Sequence, residues 1–215
     1  MRGGYREGAG RKKSGFRKDA PHRARPELEA RHPVHVSLRF RVRVDHRNRD
    51  VYNIARRVLA RYLDRDDFRV VHISIQGSHL HLLVEAASKR ALTWGMQSFT
   101  IAFAKAYAKG SSGAKVFAHR YHASQIKTER YARHALSYVL NNWRRHREDF
   151  ANGRQLTWKI DPFSSAISFT GWTERFAVPA SYAPLPVSPP RTALLASGWR
   201  SYGRISPYEC PGPLR

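Results

Sequence analysis

The chain has 215 residues, with 39 Lys and Arg against 16 Asp and Glu, for a formal net charge of +23. That length suits one domain with a real core plus extensions, and that charge points to a polyanionic partner. A single cysteine, Cys210, excludes an internal disulfide and a thiolate zinc cage, and the lack of a long apolar run or signal-peptide pattern favours nucleic acid over a membrane, in a cytoplasmic, nucleoid-associated protein.

In chain order, residues 1–31 are rich in Gly, Arg and Lys without apolar periodicity. They read as a basic arm, disordered when alone, whose "GRKK" is either a minor-groove hook or simply a solvated leader. A domain is expected over 32–150. It opens with "VHVSLRFRV", in which Val34, Val36, Leu38, Phe40 and Val42 alternate with polar residues as in a half-buried strand. Asp45 or Asn48 can cap a helix reaching about Leu63, with Val51, Ile54, Ala55, Val58, Leu59 and Tyr62 at helical spacing.

The next stretch, "RVVHISIQGSHLHLLVEA", reads as a hairpin turning at Gly77-Ser78, with a positive φ expected at Gly77. That register puts Val71, Ile73, Ile75, Leu80, Leu82 and Val84 on one face. Ser74, Gln76, His79 and His81 share the other, with Gln76 opposite His79 and Ser74 opposite His81. Helices follow at roughly 88–109 and 128–148, separated by a strand candidate in "VFAHRYHASQI". The order strand, helix, strand, strand, helix, strand, helix predicts an α+β, ferredoxin-like antiparallel sheet, βαββαβ plus a last helix. Helices should cover one face and leave the polar face, with Arg39 and Arg41, open for binding. Beyond it, 151–177, including "DPFSSAISFTGW", reads as a packed extension and 178–215 as a Pro-rich tail.

The chemistry concentrates on "HLH". Residues two apart on a strand point the same way, so His79 and His81 can converge on one metal ion, or contact phosphate as a polar pair, while Leu80 anchors the strand from behind. In the last helix Ala132, Leu136, Val139, Leu140 and Trp143 form the core stripe. Tyr138 and Asn142 sit at its edge, one turn apart. A tyrosine there is either a packing residue with a wet hydroxyl or a functional group.

Together, His79-Leu80-His81, Tyr138 in "YVLNN", Asn142 and the order of elements make the segment from about Pro33 to Arg147 resemble the single-tyrosine transposases of the HUH endonuclease superfamily, especially the REP-associated tyrosine transposases of bacteria. The resemblance implies that Tyr138 is the nucleophile and that His79, His81 and Asn142 hold a divalent ion, magnesium or manganese. It also implies single-stranded or hairpin DNA as substrate, a 5'-phosphotyrosine intermediate, and strand joining by a 3'-hydroxyl. The departure is Asn142-Trp143 where many members have Asn-Pro, and Asn141 competes for the ligand assignment.

Arg39, Arg41, Lys127, Arg144 and Arg145 are the candidates for phosphate contact, and Tyr121, His122 and Trp143 for base stacking, with core packing the alternative for Trp143. Two other readings stand beside the nicking and joining enzyme. One is a non-catalytic basic nucleic-acid-binding protein on the same fold; the other is a hydrolase whose His pair activates water. The acids disfavour the hydrolase, because only Glu85 lies near the His pair. A monomer and a homodimer both fit.

Overall fold

The computed structural model describes residues 26–42, 44–108, 115–151, 154–155 and 157–212. The basic arm before residue 26, including "GRKK", lies outside them. The elements run β1 (Val34–Arg39), α1 (Arg49–Leu59), β2 (Phe68–Ile75), β3 (His79–Ala86), α2 (Lys89–Tyr107), β4 (His122–Gln125) and α3 (Glu129–Arg145), the order read from periodicity. Asn48 is the cap of α1, its side chain accepting from Val51 N at 3.0 Å. Two short strands, β5 (Phe150–Ala151) and β6 (Arg154–Gln155), and a four-residue helix, α4 (Ala193–Ala196), follow.

The four long strands form one antiparallel sheet in the order β2-β3-β1-β4. Across the Gly77-Ser78 loop Gln76 N donates to His79 O, and Ser74 pairs with His81, as the hairpin register requires. Gly77 does not adopt the expected positive φ. Its role is contact: the amide donates to Glu148 Oε1 at 3.1 Å and the carbonyl accepts from His46.

On one face β1, β2 and β3 present Val36, Leu38, Ile73, Ile75, Leu80, Leu82 and Val84 to α1 and α2, which contribute Val51, Val58, Leu59, Met96, Phe99 and Phe103. Each such side chain, fully buried, stabilises the fold by about 1.5–3 kcal/mol. Gly95 lets α2 approach closely, since a Cβ there would lie 2.2 Å from the Phe68 ring.

The opposite face departs from expectation. A bulge in β2 shifts the register between Val70 and His72, turning Val71 away from the first core and beside Leu83. These two apolar side chains on an otherwise polar surface give α3 a place to dock through Ala132, Leu136, Val139 and Leu140. The polar face is therefore covered, not open.

The segment after residue 178 is folded onto the domain and is not a free tail. Its prolines forbid long regular elements but not packing. Leu185 joins the first core, while Leu195, Trp199 and Ile205 pack with α3 in the second. Ser188 N donates to Val70 O, and Phe163 and Ser165 bond Ile75 and Ile73, so the exposed edge of β2 is covered. The pin is Glu85, 1% exposed, whose carboxylate accepts from Arg69 Nη2, the amides of Arg191 and Thr192, and Thr192 Oγ1 at 2.6–2.9 Å for the closest contact with each group. Glu85→Ala strands the buried Arg69 charge and frees two amides, so urea unfolding should show a loss of about 3–5 kcal/mol, with new protease cuts in 185–212. An unchanged midpoint would mean that the segment is held by other contacts.

Candidate active site

Alternation along β3 points His79, His81 and Leu83 toward α3. His81 is 3% exposed, and its Nδ1 lies 3.0 Å from Nε2 of His35 on the neighbouring strand β1. The His79 and His81 rings meet edge to face, centroids 4.4 Å apart. From α3 the Tyr138 ring stands edge-on to His81 at 5.0 Å and to His35 at 5.7 Å, while His146, the C-cap of the same helix, lies 5.8 Å from His79.

These contacts bracket Asn142. It lies one turn after Tyr138 and one turn before His146, so its side chain falls between two points where the helix touches the histidines. Asn142 is fully buried, and neither its Oδ1 nor its Nδ2 has a hydrogen-bond partner among the described residues. The same holds for His81 Nε2. Asn141 differs in that its Nδ2 donates to Ser206 O at 2.9 Å in the C-terminal segment, although its Oδ1 is likewise without a partner among the described residues. Orphaned buried polar atoms are costly, about 1–3 kcal/mol each, and the three from two residues beside the His79 ring include lone pairs that a bound ion would satisfy.

The donor set suits a divalent cation. Burial is the first cause holding His35 and His79 down to about 4 and His81 well below its ordinary value, with neighbouring His and Arg charges adding to it. The rings are therefore neutral at physiological pH and carry lone pairs. If His81 donates from Nδ1 to His35, its Nε2 is bare and fixed in direction, the way an outer partner orients a metal-binding imidazole. No group of three or more His, Cys, Asp or Glu able to hold a metal occurs among the described residues, so a metal held here would need an amide beside the two imidazoles. Glu85, spent on the C-terminal segment, is no general base.

Tyr138 is half-buried, and burial raises its hydroxyl above the ordinary value of 10.0, with Arg145 partly offsetting this. Beside His79 opens a cleft of about 940 Å³ lined by Arg39, Gln76, Ser78, His146, Arg147, Glu148 and Phe150. Arg39, Arg41, Lys127 and Arg145 are exposed, Arg145 also reaching Pro211 O at 3.3 Å. Arg144 is corrected as a phosphate contact: its side chain is inside, paired with Asp149 at 2.9 Å and bonded to the carbonyls of Pro207 and Lys159. Trp143 is core, Tyr121 packs against the first core, and His122 is exposed on β4.

Sequence reasoning passed over His35 and His146. His35 sits on the polar face of β1, but only the pairing of β1 with β3 brings it to His81; His146 was legible as the next i+4 step after Asn142.

For the metal-free chain, unfolded histidines protonate near 6.5, while His35, His72 and His79 resist to about 4 in the fold. Their contribution to stability is complete above the unfolded value and lost as pH falls toward the folded one. Glu148, pushed up to about 7 mainly by burial, acts oppositely, losing its contribution as pH rises, but is outnumbered. Urea midpoints in chelator should fall from about pH 7.5 to about pH 5, and His72→Gln should flatten the slope. A flat wild-type profile would mean that the rings are hydrated.

No curated protein matches this sequence. Among solved structures, that of a REP-associated tyrosine transposase bound to a REP hairpin has the same fold, with a TM-score of 0.52, 16% identity, and coverage of 69% of this chain and 84% of that one. The family model described as "Transposase IS200 like" matches residues 30–142, over half the chain and spanning β1 through Asn142. The chain therefore belongs to the IS200-like transposase family.

Proposed function

We propose that this transposase-family protein is a metal-dependent enzyme of the HUH single-tyrosine type that nicks and rejoins single-stranded DNA. The observation that carries this reading is the convergence, on a buried face, of Tyr138, the neutral pair His79 and His81, and the unpartnered atoms of His81 and Asn142. His79, His81 and Asn142 would hold a magnesium or manganese ion, which when bound supplies positive charge to the scissile phosphate and to the charge growing on it. Imidazole ligands favour manganese of the two.

The chain's own residues do the rest. Tyr138 Oη attacks phosphorus, its bond forms as the bond to the 3'-oxygen breaks, and the phenolic proton is lost while the departing 3'-oxygen gains one. The product is a 5'-phosphotyrosine and a free 3'-hydroxyl. Attack by a 3'-hydroxyl on the tyrosyl phosphate reverses the sequence and joins strands without ATP, because the phosphodiester energy is kept in the protein link. Burial disfavours the phenolate, so Arg145 and the site's own positive charge must offset that penalty.

The cleft beside His79 suits an unpaired strand. Arg39 and Arg147 line it together with the exposed Val42, Val44 and Phe150, combining cations for phosphates with apolar surface for bases. Arg39, Arg41, Lys127 and Arg145 would carry backbone contacts, with a tightly salt-dependent affinity. The solved hairpin complex of the REP-associated protein supports a hairpin as the first substrate to try.

The test is a denaturing gel of the full chain with manganese and 3'-end-labelled single-stranded hairpins from DNA flanking its gene. A slow, protease-sensitive labelled band is expected, absent in Tyr138→Phe and with chelator, while Tyr138→Phe keeps the wild-type melting temperature and binds the same DNA. Tight binding with no adduct on any such hairpin would favour the non-catalytic reading, and cleavage that survives Tyr138→Phe would favour the hydrolase.

A further inference from the structure

Gln76, the residue that follows β2, is 1% exposed beside the turn and across from His79. Its carboxamide orientation is assigned from the hydrogen bonds around it. Arg47 forms a two-pronged pair with Asp161, with Nη1 to Oδ2 at 3.2 Å and Nη2 to Oδ1 at 2.9 Å. Asp161 Oδ2 accepts from Ser74 Oγ at 3.3 Å, which uses the one proton that the hydroxyl has. Ser74 Oγ can then only accept from Gln76, so Nε2 is the atom turned to it and Oε1 is turned away. Oε1 is buried and has no partner among the described residues.

A relay of four side chains thus aims a bare oxygen from the edge strand. Both Gln76 and His79 line the cleft beside the site, and cross-strand partners on one face stand within side-chain reach of each other. We propose that Gln76 Oε1 is a further ligand to the divalent cation, an oxygen supplied from the end of β2 that joins His79, His81 and Asn142. This rests on the metal reading of the site given above. The hard oxygen has a chemical consequence: with two amide oxygens against two imidazoles, the set moves toward the ligand preference of manganese and magnesium and away from that of zinc. Ser74, Asp161 and Arg47 act through Gln76, fixing its direction as outer partners fix a ligand.

The experiment measures manganese affinity of the full chain from the loss of the free-ion electron paramagnetic resonance signal, for wild type, Gln76→Leu and Gln76→Glu, with melting in chelator to verify each fold. Gln76→Leu should weaken manganese binding about tenfold or more. Gln76→Glu, which returns an oxygen, should restore it to within about threefold of wild type or better. Wild-type affinity in Gln76→Leu, or a Gln76→Glu protein as weak as Gln76→Leu, overturns the assignment while leaving the rest of the site intact. Failure of the wild-type chain itself to bind manganese overturns both this ligand and the metal reading on which it rests.

Discussion

The docking of α3 on Val71 and Leu83 is the contact on which the site depends. A regular β2 would have placed Val71 in the first core and left Leu83 alone among His79, His81, Ser74 and Glu85. One extra residue in the strand makes an apolar pair large enough to seat a helix, and the helix that sits there carries Tyr138 and Asn142 on the edge facing the histidines. The same contact dries the face. His81 and Asn142 are buried where α3 meets the sheet, and burial keeps the imidazoles neutral.

A dry polar face is expensive, and the molecule offsets that cost from outside the family-matched segment. The C-terminal part covers the far side of α3 with Trp199, Leu195 and Ile205, takes the Glu85 carboxylate with its own amides, and binds Asn141, Arg133 and Arg144 through Ser206, Glu209 and Pro207. The tyrosine helix is thus held between sheet and strap in a single chain. The charges so consumed are structural. Arg47, Arg69 and Arg144 serve internal pairs, whereas Arg39 and Arg147 stand at the cleft and Lys127 is exposed just before α3.

Periodicity sufficed for the seven main elements and for the hairpin register, because a two-residue loop leaves little freedom in pairing and apolar alternation is unambiguous in β3. His79, His81, Tyr138 and Asn142 were legible as a pattern for the same reason. A strand's twofold repeat and a helix's i+4 repeat turn spacing into direction. What stayed hidden were consequences of tertiary packing. The bulge at Val71 has no signature in "RVVHISI", where either register keeps apolar residues buried. His35 differs from the other polar residues of β1 only by its diagonal neighbour across the sheet. The Pro-rich segment lacks any period, and its anchoring depends on single residues such as Trp199 and Leu195. Arg144 and Arg145 look alike in sequence; one faces Asp149 and the other solvent.

Anomalous diffraction from crystals grown with manganese tests the central claim most directly, since it locates the ion independently of turnover. The prediction is one strong peak bonded to His79, His81 Nε2 and Asn142 Oδ1 of a single chain, beside the Tyr138 hydroxyl. A peak elsewhere, or none at a concentration that saturates the protein in solution, would contradict the assignment of the buried histidine face as the catalytic metal centre.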